Sequence, residues 1–425
     1  NEINKIPSAS YGHIKNFNIS IKKYWHLEET FKSKTLNFSA DKIYGLLNNS
    51  VNLRTRSDVP VCSFLSGGLD SSIISYLLSV NNNKRINTFS IGFEDNGYNE
   101  SNFSNLMASF INSEHHTYIF SKINYFKDFD KLTKTKGAPL SVPNEVPLSF
   151  LSSELKKNST VVLSGEGADE IFAGYGRIFS SSNDYNKFKV GHSSKIFKNE
   201  FLYNNNNIES EFDHFINNYF YINPSKLDDI FINNQDFVEN KSEIINTQKS
   251  LFEIDNDLDY NDKSLLFFQS YHLSGLLDRL DSSTMYNSIE GRVPFLDHNL
   301  VEYINSIPFS DKIKWKNNGE NLSKDMISKQ YSEVNDITKF PLRASFQDKI
   351  PKPILDRTKV GFPVPLDNWD ENILNLKIDE FVESKMIRNL KIFNLKTIQN
   401  LKSKKEPMLK WMLHSLKTFL EVYYE

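Results

Sequence analysis

The chain has 425 residues, 39% hydrophobic and 13% aromatic, enough apolar material for a large core divided over two or more lobes. A net charge of −3 excludes a general attraction to nucleic acid or to an anionic membrane surface, so any anion site must be local. The lone Cys62 excludes an internal disulfide and a multi-cysteine metal site, no apolar run approaches the ~20 residues of a membrane helix, and the first residues lack the apolar core of a signal peptide; a cytoplasmic protein is the expectation.

The chain opens on Asn rather than Met and reads as a trimmed or processed piece with something missing upstream. Residues 1–35 hold strand-like runs at 11–15 and 19–25 that bury little alone; they read as the last strand and linker of an upstream domain. Helical apolar spacing from 40 leads into an apolar strand at 60–65, where Cys62 is read as core packing. Then come Ser66-Gly67-Gly68-Leu69-Asp70-Ser71-Ser72 and a helix. A second strand covers 87–93, with Gly92 marking close backbone approach. A helix at 101–111 precedes a third strand at 114–120, where His115 and His116 point to opposite faces and so do not form a metal pair. Another helix starts at 146, and 160–163 is a fourth strand, apolar throughout and therefore buried on both faces.

Strands alternating with helices predict an α/β fold with a doubly wound parallel sheet, whose ligands bind beyond the carboxyl ends of the strands. Six of the 16 glycines, Gly67, Gly68, Gly92, Gly165, Gly167 and Gly174, fall at those ends. Residues 181–262 are polar, aromatic and asparagine-rich and read as a peripheral helical insertion. From 263 to 425 the chain is strongly helical and ends in an amphipathic helix from Pro407, closing a helical lobe; 36–180 is the nucleotide-binding core.

The Ser66–Ser72 loop lacks the Gly-Lys-Ser/Thr ending of the common nucleotide loop. Its serine hydroxyls and backbone amides suit the β- and γ-phosphates of ATP, and its aspartate suits a magnesium ion bridging them. The loop resembles the pyrophosphate loop (PP-loop) of the ATP pyrophosphatases, of the adenine-nucleotide α-hydrolase-like fold.

Together with Phe89-Ser90-Ile91-Gly92, Ser164-Gly165-Glu166-Gly167-Ala168-Asp169-Glu170, Gly174-Tyr175, Arg292 to His298 and Lys359-Val360-Gly361-Phe362-Pro363, this loop resembles the synthetase domain of the asparagine synthetase family over about residues 40–425. Residues 1–35 resemble the tail of that family's N-terminal glutaminase domain, whose nucleophilic cysteine is absent here. The resemblance implies a ligase that activates the aspartate side-chain carboxylate as an acyl-adenylate, releasing pyrophosphate, and transfers ammonia to it. Its implied partners are a small carboxylate acceptor and ammonia from the missing glutaminase domain or a separate source, and a homodimer is compatible with it.

By the same resemblance, Ser66, Gly67, Gly68, Ser71 and Ser72 hold pyrophosphate, and Leu65, Ile91, Ser164 and Gly165 frame the adenosine. Asp70 and Asp169 hold Mg2+, Glu166 serves adenylate formation and amine deprotonation, and Lys339 meets the departing pyrophosphate. Glu170, Glu290 and Arg292 are the candidate acceptor contacts. Pro341, just after Lys339, suits a first helical position.

Two departures bear on the acceptor. Where the family reads Asp-Arg-x-Ser-Met-Ala, this chain has Asp281-Ser282-Ser283-Thr284-Met285-Tyr286, losing an arginine. The run Pro139 to Pro147 is closer to amidotransferase relatives of specialised pathways. The alternative is therefore a tailoring amidotransferase or cyclising synthetase acting on a sugar acid or peptide carboxylate.

Overall fold

The computed structural model describes residues 5–35, 37–93, 101–190, 208–222, 224–232, 235–316, 326–359, 361–362, 364–366 and 371–424. Strands β1 (Ser10–Lys15) and β2 (Asn18–Lys23) form an antiparallel hairpin, exposed along almost its whole length. Its two-residue turn places Asn16 and Phe17 at φ 50° and 63°, the left-handed pair that matches the twist of the strands. Helix α1 (Ala40–Arg54) starts where the Ser39 side chain accepts from Lys42 N. It buries Ile43, Leu47 and Val51, four residues apart, against Ile73, Ile74, Leu77 and Leu78 of α2 (Leu69–Val80).

The central sheet holds β3 (Val61–Phe64), β4 (Asn87–Phe93), β5 (Glu114–Phe120), β6 (Val161–Leu163) and β7 (Glu290–Arg292), all parallel, in the order β5-β4-β3-β6-β7. After β3 the chain winds outward through β4 and α3 (Ser101–Phe110) to β5, then returns through α4 (Lys122–Lys136) and α5 (Glu145–Leu155) to β6 on the other side of β3. The order reverses between β3 and β6, and a crevice opens at their carboxyl ends. Helices cover both faces of this centre, so Val61, Val162 and Leu163 are apolar, while the buried Ser63 hydroxyl accepts from Ser75 Oγ at 3.0 Å. Cys62 is buried there, its thiol pushed up to about 12 by burial, and packs as expected.

Four strands were expected, and β7 is a fifth. With only Glu290, Gly291 and Arg292 it carries no strand signature of its own; pairing with β6 imposes it. Pro341 takes the second rather than the first position of the helix Phe340–Ser345. The segment after 180 forms the helices Ser181–Lys189, Glu211–Tyr219, Pro224–Ile230 and Gln235–Phe252, with 191–207 outside the described residues. It is less peripheral than its composition suggests. Phe215 lies 4.7 Å from Phe252 and 4.9 Å from Phe267, ring to ring, in one cluster with Phe179 and Phe268. Among the described residues no helix is long and apolar enough to cross a membrane.

Because that cluster supports the helices beside the crevice, Phe215→Ala should lower stability by about 3–5 kcal/mol, read from the denaturant midpoint. A loss below about 1 kcal/mol would mean that the insertion packs independently.

Candidate active site

The turn after β3 folds onto its own serine hydroxyls, with Gly68 N donating to Ser66 Oγ at 3.3 Å. Gly67 has φ +79°, and a Cβ there would lie 2.5 Å from Ser104 N, so only glycine fits. Ser66 and Ser71 hydroxyls lie 3.0 Å apart, Ser66 N donates to Ser71 Oγ, and Ser71 Oγ donates to Gly68 O. Ser72 Oγ is buried without a hydrogen-bond partner among the described residues. The register puts the neighbouring strand ends level with this turn: Phe64 pairs with Phe89, two residues before Ile91, and Ser63 pairs with Leu163, just before Ser164 and Gly165. A Cβ on Gly165 would stand 3.0 Å from Asp70 Cβ and from Ser71 N, so the β6 loop closes directly onto the start of α2.

On this turn converge side chains from three distant segments. Lys339 Nζ lies 2.6 Å from Asp70 Oδ2 and 2.7 Å from Asp169 Oδ1, and Lys359 Nζ lies 2.6 Å from Asp169 Oδ1. Burial opposes ionisation of Asp169, but Lys339 and Lys359 outweigh it and hold its pKa well below the usual carboxylate range. For Asp70 burial dominates and pushes the pKa up, with Lys339 pulling against it and Asp169 adding to it. Gly174 makes room: a Cβ there would fall 1.9 Å from Asp169 Oδ1 and 2.3 Å from Lys339 Cε. Lys339 itself sits at φ +53°, a left-handed conformation that costs a lysine on the order of 1 kcal/mol and is held by its ion pairs. Arg357 Nη1 donates to Gly67 O at 3.2 Å and stacks over the Phe103 ring, adding a cation at the turn itself.

The short helix Ala168–Ile171 and the turn before it carry three carboxylates in three settings. Glu166 Oε1 accepts from Arg279 Nη2. Asp169 faces the lysines. Glu170, 1% exposed, accepts from Tyr175 OH at 2.7 Å; burial, with Asp169 and Glu166 nearby, raises its pKa to about 7 against the pull of that hydroxyl. Tyr175 in turn lies under Lys359, whose Nζ is 3.7 Å from the ring centre. Helix Tyr260–Phe267 continues through a wider π-helical turn, Phe268–His272, into Leu273–Met285, and this turn places Gln269 Nε2 on Glu170 O at 3.2 Å.

The sequence profile of the Asparagine synthase family matches residues 42–421. The chain belongs to the asparagine synthase family. It is 30% identical over 368 residues to asparagine synthetase [glutamine-hydrolyzing] 1 of Bacillus subtilis, covering 82% of this chain and 52% of that protein. It is 28% identical over 344 residues to a putative asparagine synthetase [glutamine-hydrolyzing] of Mycobacterium bovis, covering 77% and 48%. An asparagine synthetase [glutamine-hydrolyzing] of Rattus norvegicus matches at 29% over 161 residues, 36% of this chain and 28% of that protein. The chain thus spans about half the length of the first two relatives.

Of the site residues expected for a member of this family, the structure gathers Leu65, Ser66, Gly67, Gly68, Asp70, Ser71, Ser72, Ile91, Ser164, Gly165, Glu166, Asp169, Glu170 and Lys339 around the carboxyl ends of β3, β4 and β6. Glu290 lies at the opposite end of β7, and Arg292, whose O accepts from Ser164 N at the carboxyl end, turns its guanidinium away. Arg292 Nε pairs with Glu290 Oε1 at 2.7 Å, and Nη1 donates to Arg54 O and Arg56 O, so the guanidinium ties β7 to the end of α1 instead of meeting an acceptor. Glu170 faces Tyr175 in the interior rather than open space. Sequence reading missed Arg279, although the lost arginine it noted, at Ser282, lies one helical turn further on the same face. It quoted Lys359 without a role, and Val360 and Pro363 of that motif lie outside the described residues.

Glu170 gives a pH test. Its folded pKa of about 7 exceeds the ordinary value of 4.5, so the native state keeps a proton that the unfolded chain releases, and its contribution to stability falls as pH rises through that window. Glu170→Gln stays neutral. Its melting temperature relative to the unaltered protein should therefore rise between about pH 5 and about pH 8, by on the order of 2 °C. A pH-independent difference would refute the assignment.

Proposed function

We propose that this chain is the amide-forming part of an asparagine synthetase-type enzyme. It activates the side-chain carboxylate of aspartate with ATP, as an acyl-adenylate, and transfers ammonia to it. The observation carrying this reading is the convergence of Asp70, Asp169, Lys339 and Lys359 on a glycine–serine anion turn at the reversal point of a parallel sheet. The names of the relatives point to the product. Ammonia would come from a glutaminase domain in cis or from a separate source.

The chemistry follows from charge. A carboxylate is a poor electrophile, so its oxygen attacks the α-phosphorus of ATP and pyrophosphate leaves with the bonding pair. Amides and hydroxyls of Ser66, Gly67, Gly68, Ser71 and Ser72 receive the leaving oxygens, and Lys339 stands where their charge grows. Leu65, Ile91, Ser164 and Gly165 hold the nucleoside. Ammonia then attacks the acyl carbon, AMP departs, and Glu166 accepts the proton that the new nitrogen sheds. Magnesium fits the donor set, since Asp70 and Asp169 already meet around one cation, Lys339 Nζ, and such ions take one or two carboxylates plus phosphate oxygens. Bound there, it would offset repulsion between triphosphate and acceptor.

Incubation with ATP, magnesium, aspartate and ammonium should yield AMP, pyrophosphate and asparagine in equal amounts; ADP as product would sink the mechanism. Glu166→Gln should reduce turnover by at least about 100-fold and leave nucleotide affinity nearly unchanged. Unaltered turnover would remove Glu166 from its role.

A further inference from the structure

The peptide between Gly67 and Gly68 is the loosest link of the turn after β3. Both residues flanking it are glycines, so rotating its plane by half a turn meets no Cβ on either side. Its neighbours are held from within the loop: Ser66 N donates to Ser71 Oγ, and Gly68 O accepts from Ser72 N at 3.1 Å and from Ser71 Oγ at 3.2 Å. The oxygen of the loose peptide, Gly67 O, is held from outside instead, by Arg357 Nη1 at 3.2 Å, and takes no other hydrogen bond among the described residues.

The two ends of that plane are coupled. In a trans peptide the C=O and N–H point opposite ways, so the arginine that holds Gly67 O outward turns Gly68 N–H inward, where it meets Ser66 Oγ at 3.3 Å. That is a long bond, and a phosphate oxygen can replace it. A cation on the oxygen also polarises the peptide and strengthens its amide as a donor. With the plane reversed, the same place would carry a carbonyl oxygen, which repels a phosphate.

Arg357 is itself fixed from several sides. Its guanidinium carbon lies 4.2 Å from the centre of the Phe103 ring, and Phe103 also backs the turn: a Cβ on Gly67 would stand 2.6 Å from Phe103 Cβ. Arg343 ties the backbone, donating from Nη2 to Arg357 O at 3.3 Å and from Nη1 to Leu355 O, while its Nε donates to Thr338 O beside Lys339. Lys359, two residues on, reaches Asp169. One segment therefore touches the β3 turn and the β6 turn at once.

We propose that Arg357 is a positioning residue that locks the Gly67–Gly68 peptide with its N–H toward the crevice, so that the turn receives a phosphate chain and not only a nucleoside monophosphate. The choice of the phosphate chain as ligand rests on the nucleotide reading above.

The test is calorimetric titration, with magnesium, of an ATP analogue nonhydrolysable between its α- and β-phosphates, and separately of AMP. Arg357→Gln should weaken the analogue about 10-fold, the worth of a hydrogen bond to a charged group, and leave AMP within about 2-fold. A crevice merely deformed by the replacement would lose both. Gly68→Ala separates the lock from the loss of a nearby positive charge. Reversing the plane carries Gly68 φ from −75° to about +105°, open to glycine and closed to alanine, and the new Cβ is closest to the Ser66 hydroxyl, at 3.3 Å. In the Gly68→Ala background Arg357→Gln should therefore weaken the analogue by no more than about 3-fold. Arg357→Lys, which keeps the charge and loses the planar fork, should fall between, and it decides if the glutamine variant does not fold. Unchanged analogue affinity, equal losses for analogue and AMP, or a loss that persists undiminished with Gly68→Ala overturns the proposal. Failure of the amide-forming reading looks different: the lock behaves as stated, but aspartate and ammonium yield no AMP from ATP.

Discussion

An ammonium buried between two carboxylates organises this molecule. Lys339 touches Asp70 and Asp169, which lie 99 positions from one another and 269 and 170 positions from it in sequence, so the cluster can exist only if the β3 turn, the β6 turn and the chain around 339 meet. The sheet order supplies that meeting, because winding outward from β3 and returning on its other side leaves the β3 and β6 ends adjacent. Everything near the cluster is shaped by it: a missing Cβ at Gly174, a left-handed backbone at Lys339, and Arg343, which binds carbonyls of Thr338 and Arg357 and so couples the lysine to the segment that caps Gly67. A buried ion cluster of this kind is no better for stability than apolar packing of equal volume, yet losing one member costs about 3–5 kcal/mol. Such a cluster is therefore better explained by what its charges do than by the fold they hold.

How much of this was legible in the sequence depended on how local each signal was. Apolar runs at 60–65, 87–93 and 160–163 and the glycines that end them announced the sheet and its loops, since strand burial and positive φ are decided within a few residues. The turn of β1 and β2 was harder to see, because Asn16-Phe17 is not a glycine turn. The strand β7 was invisible, being two charged residues and a glycine held by β6. Arg292 illustrates the limit of motif reading: a charged residue in a motif was read as an acceptor contact, whereas its guanidinium is occupied by two backbone carbonyls of α1's end. Arg279 shows the converse. The arginine lost at Ser282, one helical turn on, is its one nearby mark, and the packing of Leu273–Met285 against α5 and the β6 turn reveals what it faces.

The aromatic insertion makes the same point at larger scale. Asparagine-rich composition suggested a segment that could be set aside, but Phe212, Phe215 and Phe252 alternate with polar residues at helical spacing and fill one cluster with Phe267 and Phe268. Those last two lie at the π-helical turn that sets Gln269 against Glu170 and His272 beside Tyr175. His272 is held neutral there, its pKa lowered to about 4 by burial and by Arg279 and Lys359, so it adds no charge to an already crowded set.

That crowding is resolved within five residues. Glu166, Asp169 and Glu170 are chemically alike, and three carboxylates so close would repel one another in any shared environment. Gly167, at φ +94° and packed onto Leu296, turns the chain sharply between the first and the other two. Glu166 is thereby sent to an arginine, Asp169 to two lysines, and Glu170 inward to a tyrosine, where burial favours its proton. One pairs with a guanidinium, one is held ionised between ammonium groups, and the third anchors the turn where burial raises its pKa to about 7. Similar side chains acquire different duties from their surroundings alone. On the proposed reading, a triphosphate and an acid can be drawn into one crevice because the chain has first separated its own negative charges.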